Sequence, residues 1–191
     1  SVVGSRAASE HGLRFAAHVA ESLVRRKVTV VAGLAAGIDT AAHRAALDSG
    51  GRTVAFIGTG INKVYPAANR DLHDEISSRG LLISQFWPDA PPQKHTFLMR
   101  NATMSGYGMA TVVVEAGEHS GARAQARMAV EHGRPVILTN MVVRANAWAR
   151  ALVDRPGVHT ATSVDDVLTI VGELVNGASA LDADLRRLVR A

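Results

Sequence analysis

The chain has 191 residues, of which 47% are hydrophobic, 20% charged and 4% aromatic, and these proportions fit one globular domain rather than a disordered or fibrous chain. It contains no cysteine, which excludes disulfide bonds and thiolate metal sites and is compatible with the cytoplasm, and its apolar runs are too short to cross a bilayer. A formal net charge of +4 permits a polyanionic partner without requiring one.

Short apolar runs rich in Val and Ile recur along the chain and are mostly free of charged residues. Such runs are typical of strands buried on both faces, as in parallel sheets. They predict strands at Ser1–Val3, Val28–Ala32, Thr53–Gly58, Leu81–Gln85, Ala110–Glu115, Pro135–Leu138 and Gly157–Thr160. Because the first of these begins at Ser1, we expect further chain upstream of it.

Amphipathic segments lie between the strands, the first with Leu13, Ala16, Ala20 and Leu23 at helical spacing. Further helices are predicted at Asp39–Ser49, Ala67–Arg79, Gly121–His132, Arg144–Asp154 and Ser163–Val175. The alternation predicts an α/β fold: a doubly wound, mostly parallel sheet with helices on both faces, forming a Rossmann-like core over residues 1–175. The basic stretch 176–191 is predicted to be a C-terminal tail or linker.

Glycines follow three of the predicted strands, in Gly4-Ser5-Arg6, in the segment from Gly33 to Gly37, and in Gly58-Thr59-Gly60. Ligands of open parallel sheets bind beyond the carboxyl ends of the strands, where glycine lets the backbone approach an anion and helix N-termini direct N–H groups toward it. For any one loop alone, a tight turn explains the glycine equally well. Basic residues lie in or beside the same loops, as a surface for phosphates requires, at Arg6, Lys63, Arg70, Lys94, Arg100 and Arg123.

One long loop is predicted at Phe86–Arg100, and it contains Phe86, Trp87, His95 and Phe97. An exposed aromatic ring in this loop could stack on a nucleobase. The alternative is that Trp87 and Phe97 cover the edge of the sheet, since large aromatic side chains are usually buried.

Several of these motifs occur in the order found in the DprA/Smf family of DNA-processing proteins, which the chain resembles over nearly its whole length. The most specific block is Gly33-Leu34-Ala35-Ala36-Gly37-Ile38-Asp39-Thr40-Ala41-Ala42-His43. It is accompanied by Gly4-Ser5-Arg6, Gly58-Thr59-Gly60, Val64-Tyr65-Pro66, Asn69, Phe97, Arg100-Asn101 and Ser120-Gly121.

The resemblance implies a Rossmann-like core that binds single-stranded DNA and helps to load a RecA-like recombinase during natural transformation. It also implies a homodimer. No cofactor, bound metal or catalytic residue is predicted, since the residues show no metal-ligand pair and no catalytic motif. The loops and the resemblance together predict a DNA- or phosphate-binding surface formed by Gly4, Ser5, Arg6, Gly33, Gly37, Gly58, Thr59, Gly60, Lys63, Lys94, Arg100, Asn101, Ser120, Gly121 and Arg123.

The second half of the chain departs from the family pattern. Ala102 replaces an arginine that usually follows Arg100-Asn101, and Ala122 and Ala124 replace hydroxyl residues after Ser120-Gly121. These changes put the strength of DNA binding in doubt.

A second interpretation is an enzyme or nucleotide-binding protein of the same fold, similar to the LOG family that cleaves nucleoside monophosphates. That family's Pro-Gly-Gly-x-Gly-Thr-x-x-Glu motif is absent, and Glu115 is a lone carboxylate at a strand end. A single acid is weak evidence for acid–base chemistry. The missing P-loop argues against ATP hydrolysis.

Overall fold

The computed structural model describes the backbone of residues 1–190 and the side chains of residues 1–181 and 187. Each predicted strand is found; the first five are shorter than predicted, and the last two keep their length but begin and end one residue later. The strands are β1 (Val2–Val3), β2 (Val30–Ala32), β3 (Thr53–Phe56), β4 (Leu81–Ile83), β5 (Thr111–Val113), β6 (Val136–Thr139) and β7 (Val158–Ala161).

The helices are α1 (Glu10–Arg25), α2 (Ile38–Asp48), α3 (Arg70–Arg79), α4 (Lys94–Tyr107), α5 (Gly121–Glu131), α6 (Asn140–Ala145), α7 (Ala147–Leu152) and α8 (Val164–Arg190). A 3₁₀ turn at Ala67–Asn69 precedes α3, and the helix predicted at Arg144–Asp154 is replaced by the two short helices α6 and α7. Helix α8 continues through residues 176–190, and the side chains of Arg186 and Arg190 lie outside the described part. The division of the chain at residue 175 therefore stays a prediction.

The strands described form two parallel sheets side by side rather than one. The first has the order β1-β5-β6-β7 and the second the order β2-β3-β4. All of the described pairings are parallel, as predicted. β1 lies next to β2, but no ladder of hydrogen bonds joins them.

Successive residues of the strands face opposite layers of helices. Val112 packs in a core cluster with α1, α2 and α8, whereas its neighbour Val113 packs in a cluster with α4, α5 and α7. Ile137 and Leu138 of β6 alternate in the same way. This two-residue period, with helices on both faces, confirms the doubly wound α/β fold.

Helix α4 is the main element that the sequence analysis missed, and the long loop predicted at Phe86–Arg100 is wrong from Lys94 onward. Gln93 begins the helix with a capping box, in which Gln93 and Thr96 exchange hydrogen bonds. The residues that α4 buries are mostly polar, namely Thr96, Arg100, Asn101, Met104 and Ser105. Arg100 therefore lies on a helix and inside the protein, not in a surface loop.

Within the described residues, no helix is long and apolar enough to cross a membrane.

Candidate functional site

A cleft of about 770 Å³ opens at the carboxyl ends of β1 and β5. Its walls are the loop between β1 and α1, the first three turns of α4, and the beginning of α5. This position, beside the strand where the sheet order changes direction, is where open α/β sheets usually bind their ligands. The cleft brings together eight of the predicted site residues: Gly4, Ser5, Arg6, Lys94, Arg100, Asn101, Ser120 and Gly121.

The other predicted residues lie outside the lining of the cleft: Gly33, Gly37, Gly58, Thr59, Gly60, Lys63 and Arg123. Lys63 forms an ion pair with Asp89, with 3.6 Å between the ammonium nitrogen and the carboxylate. Arg123 donates a hydrogen bond to the carbonyl of Glu118. The cleft therefore brings together part of the predicted surface, and the role of the remaining residues stays a prediction.

Arg6 is one of two exposed cations that line the cleft, the other being Lys94. Its guanidinium carbon lies 5.4 Å from the centroid of the Phe97 ring, within the range of a cation–π contact. The ring of Tyr65 lies against the other part of Phe97, with 5.3 Å between centroids. Phe97 therefore orients Arg6 while leaving its N–H donors accessible to an anion.

Arg100 is buried, and its hydrogen bonds are to the protein itself. Its Nη1 donates to the carbonyl oxygens of Gly33 and Phe56, the second at 2.7 Å, and its Nε donates to Asn101 at 3.0 Å. These bonds join α4 to the ends of β2 and β3. Burial lowers the pKa of Arg100 from its usual value, and the carboxylate of Asp39 opposes that shift. The hydrogen bonds of Arg100 therefore give it a structural role, which is to attach α4 to the strands that border the site.

The second glycine loop was predicted to bind the anion of a ligand. In the structure, the carboxylate of Asp39 takes that position. Its Oδ2 accepts hydrogen bonds from the backbone N–H groups of Gly33 (2.8 Å) and Ala35 (3.4 Å). Asn69 fixes the same loop by donating to the carbonyl oxygen of Leu34, which has a φ of 56°. Burial raises the pKa of the Asp39 carboxyl, whereas Arg100 and the two N–H groups act in the opposite direction.

The glycines of the second and third loops make room for the chain itself. Gly37 has a φ of 77°, and a Cβ there would lie 2.8 Å from the carbonyl oxygen of Arg6 and closer still to that of Ser5. A Cβ on Gly58 would collide with the ring of Phe97, and the N–H of Gly60 already donates to a backbone carbonyl. These loops pack against their neighbours, which corrects the expectation that they open toward an anion.

Glu115 holds the loop between β1 and α1 in place. Its two carboxylate oxygens accept hydrogen bonds from the N–H (2.9 Å) and hydroxyl (2.6 Å) of Ser9, and its carbonyl accepts from the N–H of Ser5. Both oxygens of this carboxylate are thus engaged in positioning the loop that carries Arg6. The contacts support a structural role.

The N-terminus of α5 forms another wall of the cleft. Ser120 is its N-cap and accepts from the N–H of Arg123, and Gly121 and Ala122 line the cleft. A helix N-terminus carries partial positive charge and favours an anion. His119, which the sequence analysis did not single out, lines the cleft beside Ser120; its position next to the Ser-Gly motif is the signal that could have found it.

Among the side chains that the structure describes, no group of His, Asp and Glu is placed to hold a metal ion.

The buried side chain of His43 is expected to make the stability of the protein depend on pH. It is fully buried on α2, and its Nδ1 lies 2.7 Å from the hydroxyl of Thr53. Burial, with a further contribution from the charge of Arg100, lowers its pKa from 6.5 to about 3. The unfolded chain therefore binds a proton below pH 6.5 that the folded protein refuses until about pH 3. As the pH falls through this window, His43 should lower the free energy of unfolding by up to about 1.4 kcal/mol per pH unit.

Urea denaturation at several pH values, on the wild type and on His43→Gln, isolates this contribution. The variant should show a shallower loss of stability between pH 6 and pH 4, whatever its stability at pH 7. Equal slopes would contradict the assignment to His43.

The family model and the similar proteins all indicate the same family. Residues 1–172 match the family described as DNA recombination-mediator protein A. The chain is 42% identical over 175 residues to the putative DNA processing protein DprA of Mycobacterium tuberculosis, covering 91% of this chain and 45% of that protein. It is 43% identical over 136 residues to DNA processing protein DprA of Streptococcus pneumoniae, covering 71% and 48%. The chain thus spans less than half the length of these relatives.

Solved structures show the same fold. The X-ray structure of DprA from Streptococcus pneumoniae superposes with a TM-score of 0.76 at 36% identity, over 88% of this chain and 59% of that one. A structure of DNA processing protein A from Helicobacter pylori, described for its single-stranded DNA binding mode, gives a TM-score of 0.80 over 90% and 79%. At 21% identity, this second likeness concerns the fold alone.

Proposed function

The chain belongs to the DNA recombination-mediator protein A family, and from this we propose that its cleft binds single-stranded DNA through the phosphate backbone. Binding without catalysis is the activity that we assign to it. The proposal is supported by the Helicobacter pylori relative, whose structure was described for single-stranded DNA binding.

The balance of charge in the cleft is the observation that carries the proposal. Arg6, Lys94 and Arg100 line it, and Asp39 is the one acidic side chain among the lining residues. Asp39 is buried and bound to loop N–H groups, whereas Arg6 and Lys94 are exposed. A phosphate in the cleft would be attracted both by these two cations and by the N-terminus of α5.

The wider assignment follows the family resemblance. We propose that the bound strand is handed to a RecA-like recombinase in the cytoplasm, that the protein acts as a homodimer, and that the incoming DNA of natural transformation is its substrate. The relatives that support this are about twice as long as this chain.

Single-stranded DNA should bind in a salt-dependent manner, and Arg6→Ala should weaken binding by about 1–3 kcal/mol, because a charge-assisted contact to phosphate is lost. In a fluorescence-anisotropy titration, the logarithm of the binding constant should fall with the logarithm of the salt concentration, by about 0.7 for each phosphate neutralised.

Arg134→Ala is the matched control. Arg134 is exposed and lies two residues before the start of β6, so it is at the opposite end of the sheet from the cleft. It has the same charge as Arg6, and its loss should leave affinity almost unchanged. Equal effects of the two variants would mean that the cleft is not the binding surface. Displacement of the oligonucleotide by an equal concentration of a free nucleoside monophosphate would favour the nucleotide-binding interpretation.

A further inference from the structure

Trp87 is the most exposed large apolar side chain described in the protein. It is 87% exposed, in the segment between β4 and α4. This exposure rules out the interpretation that Trp87 covers the edge of the sheet. A ring of this size has a large apolar area and a face on which a ligand ring can stack, so an exposed ring held in place is a candidate ligand contact.

The backbone that carries Trp87 is fixed on both sides. The carbonyl of Trp87 accepts from the N–H of Ala90, and the carbonyl of Ala90 accepts from the N–H of Gly60, each at 2.9 Å. The carbonyl of Pro88 accepts from the N–H of Asn62 at the same distance. The third glycine loop therefore holds the segment, which presents the indole ring at a set position and reduces the entropy lost on binding.

A second cavity, of about 570 Å³, adjoins the Trp87 ring. Apolar groups of Phe86 and Pro91 line it together with the polar side chains of Gln85, Gln93, His95 and Thr96. An aromatic face beside amide and imidazole groups suits a flat ring with polar edges. A nucleobase released from stacking has this chemistry.

The second cavity lies beside the proposed DNA site at the beginning of α4. Lys94 lines the cleft and the adjacent residue, His95, lines the second cavity. A strand whose phosphate contacts Lys94 would thus have a neighbouring base beside Trp87. The exposed Lys94 at the first turn of α4 favours DNA over an uncharged partner.

We propose that Trp87 and the cavity beside it form a base-stacking subsite, which extends the single-stranded DNA path beyond the phosphate-binding cleft. This inference rests on the proposed function. The two sites bind different parts of the DNA: the cleft binds phosphates, and the subsite binds a base.

Two probes of equal length separate these contributions. One is a fluorescent oligothymidylate of about 16 nucleotides, and the other is the same backbone with abasic sugars. Trp87→Ala should weaken binding of the oligothymidylate by about fivefold to a hundredfold and leave the abasic strand unaffected. Trp87→Phe should recover most of the loss, whereas Arg6→Ala should weaken binding of both strands.

Tryptophan fluorescence gives a direct readout, since the chain has two tryptophans and the other, Trp148, is buried. Binding of the oligothymidylate should quench emission in the wild type, and the quenching should disappear in Trp87→Phe. If Trp87→Ala binds with unchanged affinity and no quenching is seen in the wild type, the subsite is overturned and Trp87 contacts a protein partner instead. In that case, an affinity that still depends on Arg6 would support the proposed function without the subsite. If the wild type binds neither strand, both proposals fail.

Discussion

Replacing Arg100 with methionine is expected to lower the free energy of unfolding by about 3–5 kcal/mol, as for the removal of one partner from a buried charged pair. Methionine fills a similar volume but leaves the carbonyl oxygens of Gly33 and Phe56 without their donor. It also leaves the buried carboxylate of Asp39 without the positive charge that opposes its desolvation. The measurement is urea denaturation followed by circular dichroism.

Arg134→Met is the control for Arg100→Met, because it removes the same charge from an exposed position. We expect its stability to change by less than about 0.5 kcal/mol. If Arg100→Met were as stable as this control and only DNA binding were lost, Arg100 would act as a ligand contact and not as the structural tie described above.

Gly37→Ala should destabilise the protein by about 2–4 kcal/mol. A φ of 77° disfavours alanine by about 1 kcal/mol or more, and the new Cβ would also meet the carbonyl oxygens of Ser5 and Arg6. Relieving that collision requires the loop between β1 and α1 to move, which costs about 1–3 kcal/mol in addition. Because this loop carries Arg6, DNA affinity per folded molecule should fall as well.

Gly50→Ala separates the two causes. Gly50 has a φ of 68°, but a Cβ there would have nothing within 4 Å. It should lose about 1 kcal/mol through backbone conformation alone and keep its DNA affinity. Denaturation and anisotropy titrations on both variants test this; equal losses of stability, with affinity retained in both, would mean that Gly37 serves only as a turn residue.

The strands and most of the helices could be predicted from the sequence because their buried residues are apolar and recur with the period of the element. Helix α4 could not be. Its buried face is mostly polar, with Thr96, Arg100, Asn101 and Ser105, so hydrophobic periodicity contains no signal for it. Two of these residues, Thr96 and Arg100, tie the helix to the chain at the ends of β2 and β3, so the feature that concealed α4 also explains why it lines the cleft.

The glycine loops were located correctly, but their use could not be read from composition. A glycine that admits a ligand and a glycine that admits another part of the same chain look identical in a sequence. Only the fold shows that Arg100 lies over Gly33 and the ring of Phe97 over Gly58. In contrast, Arg6 and Ser120 could be placed at the cleft because their neighbouring strands end there.

The contacts of these glycines have a consequence for how related sequences diverge. Since Gly33 faces the Arg100 guanidinium and Gly58 faces the Phe97 ring, each glycine and its large partner occupy one shared volume. A side chain gained at position 33 would require a smaller residue at position 100, and one gained at position 58 would require a smaller residue at position 97. These two pairs should therefore covary during evolution, so an alignment of this family would record the attachment of α4 to the sheet as coupled substitutions.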